Sequence, residues 1–183
     1  MTLLLKDTPV ALWQDIIHEA EAACTISLKE ELESYLVFLL MRYTDKPEMI
    51  KHVMANEFLT GINQPRHNRL ITLQGVGDKC LLYSGLFPQL AEKRLVKVSY
   101  YVKIGQSAYS AISHKSTDLY GMLSRHFVPL MDILQSVRRY NQEFTDLLPL
   151  EAYEIWNETG SQRALRVLKN HTNAIPLKKE GSK

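Results

Sequence analysis

The chain has 183 residues, 45% of them apolar and 23% charged, ordinary proportions for a globular protein long enough to bury a sizeable core. Lys and Arg number 22 against 20 Asp and Glu, a formal charge of +2, which gives no global pull toward nucleic acid or an anionic membrane. The two cysteines, Cys24 and Cys80, form no CxxC pair, so neither a zinc ligand set nor a disulfide framework is expected.

The opening MTLLLKDTPVALW has no basic stretch ahead of a long apolar one, as a secretory leader would. The longest apolar run, YLVFLLM at 35–41, falls far short of the ~20 residues that span a bilayer. These features predict a reduced, cytoplasmic protein with no membrane partner. No alternating strand pattern occurs, whereas helical periodicity recurs. A first helix is predicted over Val10–Cys24, with Val10, Trp13, Ile17, Ala20 and Cys24 on its core stripe. Ser27 and Glu30 form a capping-box pattern at the start of a second, Leu28–Tyr43. That helix becomes apolar all round after Tyr35, which predicts a buried far end.

Pro47 suits the first turn of a third helix that runs to Thr60 and stops at Gly61. A fourth is predicted over Pro65–Phe87, a fifth over Val98–Ser113, and a sixth over Asp118–Tyr140, interrupted at Pro129. Leu150–Thr159, ended by Gly160, and a last helix capped by Ser161 complete the series. The expected architecture is all-α: a single-domain irregular helical bundle of about six to eight helices. It would occupy residues 1–173, with 174–183 as a flexible basic C-terminal tail.

The stretch GVGDKCLLYSGLFP at 75–88 poses a choice between a phosphate cradle and a packed helix. A dinucleotide fingerprint would need a glycine where Cys80 stands, and the GxxxxGK[ST] loop is absent. Glycine inside a helix costs about 1 kcal/mol relative to alanine, so Gly75, Gly77 and Gly85 need a reason. Close approach of the fifth helix, which carries Gly105 and Ala108, supplies one. Two glycine-containing helices at the centre of the bundle are therefore expected.

GDKCLLYSGLFP followed by KRLVKVSYYVKIGQSAYSAIS, with TG at 159–160 in WNETGSQRAL, resembles an uncharacterised family of all-helical, mainly proteobacterial proteins. Residues 77–113 carry its most specific part. The resemblance implies a helical, bacterial, cytoplasmic protein. The family has no assigned activity, so no catalytic residue is implied.

Three features carry candidate chemistry. Asp78 shares an apolar stripe with Ile71 and Leu82 and should find a donor or be protonated; Lys103 and Arg94 are the expected partners. It reads either as a polar clip between helices or as a general base. His126 falls mid-stripe among Leu119, Leu123, Leu130 and Ile133, as a satisfied core histidine or a proton shuttle. Ser99, Lys103, Gln106, Ser110 and Ser113 line one face of the fifth helix. They form either its solvent face or, with Tyr100, Tyr101 and Tyr109, a cleft for a small anionic or hydroxylated ligand.

Metal chemistry has little support: His18 and Glu21 stand in the order opposite to Glu-x-x-His, and HExxH is absent. No metal and no cofactor are expected, and no GxSxG nucleophile motif occurs. Basic groups such as Arg66, His67 and Arg69 read as solvated helix faces, which argues against nucleic acid. The leading expectation is a non-enzymatic protein-interaction module, binding another protein or itself. The alternative is a small-molecule-binding protein or enzyme with a polar pocket between the fourth, fifth and sixth helices. Asp78, Lys103, Gln106, Tyr109 and His126 would line that pocket.

Overall fold

The computed structural model describes residues 8–50, 54–88, 96–138, 147–172 and 176–177. Among these the chain is entirely helical. The α-helices are α1 (Pro9–Cys24), α2 (Glu30–Asp45), α3 (Met54–Ile62), α4 (Arg66–Leu86), α5 (Val98–Ile112), α6 (Leu119–Arg125), α7 (Phe127–Arg138), α8 (Pro149–Thr159) and α9 (Gln162–His171). A 3-10 turn, Pro47–Ile50, follows α2. Among the described residues there are nine α-helices, and the predicted sixth helix is two of them, α6 and α7. Most of the expected tail, 174–183, and Arg94 lie outside the described residues. At Leu177 the backbone carbonyl accepts a bond from the Tyr153 hydroxyl at 3.1 Å.

Local chemistry accounts for most boundaries. Thr8 caps α1 through a bond from the Ala11 amide, and Pro9 occupies the first turn, where no N–H is missed. The helix ends at Thr25 in the left-handed region. The expected capping box at Ser27 is not formed. Lys29 is the N-cap of α2 and makes no side-chain bond, while Glu30, Glu31 and Glu33 place negative charge against the positive end of the helix dipole. Gly61 does not stop α3. It lies inside the helix, where an added Cβ would press on the Leu73 side chain at 2.7 Å. Gly160, at φ 77°, does terminate α8.

The break between α6 and α7 falls at His126 rather than at Pro129. Proline is tolerated in a first turn, and Pro129 stands in the first turn of α7. Its missing N–H leaves the Arg125 carbonyl without the usual helical donor, so the helix parts there instead of kinking further on.

α4 packs lengthwise against α5 and also touches α3 and α7, while α1 packs on α2 and α7, and α8 pairs with α9. One apolar core runs through all of these, including Leu36, Leu73, Leu81, Tyr109, Phe127 and Leu134, each fully buried. Space at the glycines is uneven. A Cβ on Gly77 would lie 2.5 Å from the Tyr109 ring, and one on Gly85 would lie 2.5 Å from Leu134 Cβ. One on Gly105 would collide with the Phe127 ring and sit 2.9 Å from Cys80 Cβ. A Cβ on Gly75 meets nothing within 4 Å, so close packing does not account for that residue.

The far half of α2 is not apolar-buried all round. Phe38 is 56% exposed, and Arg42 reaches the surface. No described helix is long and apolar enough to cross a membrane.

Candidate functional site

Among the described residues two carboxylates are buried in this core, and each has assembled its own donors. Asp78, on α4, is 1% exposed. Its Oδ1 accepts from the Tyr35 hydroxyl at 2.5 Å and the Tyr109 hydroxyl at 2.7 Å, and its Oδ2 from Arg42 Nη2 at 3.0 Å. Tyr35 and Arg42 stand seven residues apart, on one face of α2, and so reach the same acid. Gln74 extends the network: its amide donates to the Tyr35 oxygen at 3.3 Å and its carbonyl accepts from Tyr120 at 3.1 Å. Burial pushes the Asp78 pKa up, against the opposing pull of the tyrosine and arginine donors. Burial, reinforced by the Asp78 charge, likewise raises both Tyr35 and Tyr109. Every partner in this junction is a donor already engaged, which makes it a clip between α2, α4 and α5 rather than an open acid.

Asp132, on α7, is the second. Ser161 donates to its Oδ1 at 2.5 Å and the Arg163 amide to its Oδ2 at 3.3 Å. It therefore holds the first turn of α9, whose N-cap is Ser161 itself. Burial raises the Asp132 pKa, again opposed by the bonds it accepts. Arg166, one turn further along α9, donates to the carbonyls of Ala23 and Cys24 at 2.7 and 2.8 Å.

The antiparallel packing of α4 on α5 brings the start of one to the end of the other, and a cleft of about 340 Å³ opens there. Gln64, Arg66, Arg69, Leu70, Ser113 and His114 line it, with an apolar wall from Ala111 and Ile112. Arg66 Nη2 lies 3.4 Å from His114 Nε2, and Arg69 Nη2 donates to the Ala111 carbonyl at 3.2 Å. The N-cap of α4 is Pro65, without a side-chain acceptor, so the first-turn amides keep their donor capacity at the positive end of the helix. The Gln64 side-chain oxygen accepts from the Thr72 hydroxyl at 2.7 Å, which leaves its NH2 as a donor. Among the described residues no carboxylate lines the cleft. Asp118, close by, is turned into its own loop. The amides of Gly121, Lys115 and His114 hold its pKa well below the usual range, and it caps α6.

A second cleft, of about 220 Å³, lies between the start of α5 and α8, lined by Lys97, Ser99, Leu147, Glu151, Glu154 and Glu158 among others. Glu158 is occupied by Lys97, at 2.5 Å, and by the Ser99 hydroxyl.

Of the five residues singled out in the sequence, the fold brings Asp78 and Tyr109 into direct contact. The other three stand outside that junction. Lys103 is exposed, and Arg42 takes the role expected of it. Gln106 is half-buried and accepts a bond from Ser124 through its backbone carbonyl. His126 is half-buried rather than a core residue, and its Nδ1 lies 3.0 Å from the Met122 carbonyl oxygen, so Nδ1 carries the proton. Neither cleft described above is lined by any of the five.

Sequence reasoning missed Tyr35 and Arg42, which stand at i, i+7 on α2, because Asp78 was paired with Lys103 or Arg94 instead. It read Arg66 and Arg69 as solvated, for want of the α5 terminus that faces them. Comparison with family models, curated proteins and solved structures found no match to this chain.

Proposed function

We propose that the protein binds a small anionic ligand, by carboxylate or phosphate groups, in the cleft between the start of α4 and the end of α5. The observation that carries this reading is the convergence of Arg66, Arg69 and His114 on a cleft that no carboxylate lines. Two guanidiniums and an imidazole converge there, and the nearby Asp118 carboxylate is taken up by the Gly121, Lys115 and His114 amides. Such a cluster is complementary to an anion, and Arg presents a planar fork suited to carboxylate or phosphate. The volume is at the small end of the range for ligand sites, and Leu70, Ala111 and Ile112 offer an apolar wall for the remainder of the ligand. The Ser113 hydroxyl donates to the Lys115 carbonyl and the Asp118 carboxylate, and the role we infer is binding.

Thermal shift and titration calorimetry with inorganic phosphate, a phosphate monoester and citrate test this at constant ionic strength. At least one should bind, and Arg69→Ala should weaken it tenfold or more. No shift beyond that of chloride, or binding unaffected by Arg69→Ala, would refute it.

The protein-interaction reading keeps one specific support. Phe38 on α2 and Ile71 on α4 are 56% and 57% exposed, on the helix faces that meet at the Asp78 junction. Gly75, one turn from Ile71 on α4, leaves open space. Self-association through this face predicts a concentration-dependent sedimentation coefficient that Phe38→Ser abolishes. The bacterial and cytoplasmic setting belongs to the proposal too, supported by the family resemblance of residues 77–113.

A further inference from the structure

At the α1–α2 corner, away from the anion cleft, three side chains with metal-ligating atoms converge. His18 and Glu21 stand at i and i+3 on α1, and Glu33 projects from the first turn of α2. One ligand atom from each lies within 4.8 Å of the other two. His18 Nε2 and Glu33 Oε1 are 2.9 Å apart. Glu21 Oε1 accepts from the Leu28 amide at 2.6 Å, which fixes this carboxylate and leaves its second oxygen as a ligand. A ligand carboxylate oriented by a backbone donor is the usual supporting arrangement around a bound metal.

We propose that His18, Glu21 and Glu33 form a binding site for a divalent first-row transition ion of the zinc type. Imidazole nitrogen with carboxylate oxygen suits such an ion better than magnesium or calcium, which favour all-oxygen shells. Three protein ligands leave one position of a tetrahedron for water. At bond lengths of about 2.0–2.2 Å the donor atoms of a tetrahedral site sit roughly 3.3 Å apart. No pair therefore needs to close by more than about 1.5 Å. The His18 side chain, 57% exposed, is free to make that adjustment. The sequence alone pairs His18 with Glu21 but cannot supply the third ligand, because Glu33 joins them only through the packing of α2 on α1. A bound ion would cross-link the two helices.

The test uses the full-length chain, free of affinity tag and stripped with EDTA. It is titrated with ZnCl2 and MgCl2 by calorimetry and with CoCl2 by visible absorption. Zn2+ should bind one-to-one at micromolar or lower Kd, at least a hundredfold tighter than Mg2+. Co2+ should give the intense bands of a four- or five-coordinate site. His18→Ala and Glu33→Gln, each checked for an unchanged helical spectrum and Tm in EDTA, should weaken Zn2+ at least tenfold. The proposal is overturned by zinc affinity that survives either substitution, by binding no better than millimolar, or by equal affinity for Mg2+. Should a variant misfold, the Co2+ spectrum of the unaltered chain decides: weak octahedral bands overturn the site.

Discussion

Arg42 Nη2 lies 3.0 Å from Asp78 Oδ2, joining a guanidinium whose side chain is 50% exposed to a carboxylate that is 2% exposed. The pair runs from solvent to the interior, and its inner end is shared with two tyrosine hydroxyls. Removing the acid would leave three donors facing a void. Asp78→Ala should therefore destabilise the fold by about 3–5 kcal/mol. Tyr109→Phe, which deletes one bond and keeps the ring, should cost about 1.5–3 kcal/mol. Urea denaturation of both variants checks the order.

The pH dependence of the same residue has a definite sign. The folded-state pKa of Asp78 is raised by burial, so the native state holds its proton more tightly than the unfolded chain does. Its contribution is then most favourable below the unfolded value of about 3.9 and is lost as pH rises from there through the folded pKa. Asp78→Asn cannot ionise. The stability difference between wild type and Asp78→Asn should shift against the wild type as pH increases across that window. Parallel curves in denaturation series taken from pH 3.5 upward would contradict this.

Neighbouring glycines should respond in opposite directions. Gly77→Ala sets a Cβ 2.5 Å from the Tyr109 ring and should cost about 1–3 kcal/mol. Gly75→Ala meets open space and should stabilise by about 0.4–1 kcal/mol, by lowering the entropy of the unfolded chain. Thermal melts of the two variants measure the contrast.

Ser161 serves two partners at once, capping α9 through the Ala164 amide at 3.0 Å and donating to Asp132 at 2.5 Å. Ser161→Ala should cost about 1–3 kcal/mol, since it removes the cap and leaves a buried carboxylate oxygen short of a donor. Hydrogen exchange should show the loss first in the amides of α9.

Both cysteines are buried, and burial raises their pKa. A disulfide reagent at neutral pH should label neither in the native protein and both in denaturant. Rapid native labelling would mean that α1 or α4 opens locally.

Fold class was legible because helical periodicity is a local property. Val10, Ile17 and Cys24 announce α1 without reference to anything else. Asp78 stood out for the same reason, as a charge inside an apolar stripe. Its partners did not, because Tyr35 and Arg42 reach it from a helix more than thirty positions earlier, and nothing in the sequence says which face of α2 turns inward. The predicted box at Ser27 failed because Glu30 opens α2 as a charged first turn instead. The proposed anion cleft was invisible for a related reason. Its two halves, 64–70 and 111–114, become one surface only when α4 and α5 lie antiparallel.

The helix that begins at Gln162 touches the middle of the chain through Asp132 and its beginning through Ala23 and Cys24. During synthesis these bonds must wait for Ser161 and Arg166, which leave the ribosome after the residues they fasten. A translation product cut short before position 161 would leave the Ala23 and Cys24 carbonyls and the Asp132 carboxylate without the donors that Arg166 and Ser161 bring, although α1 would still pack on α2 and α7.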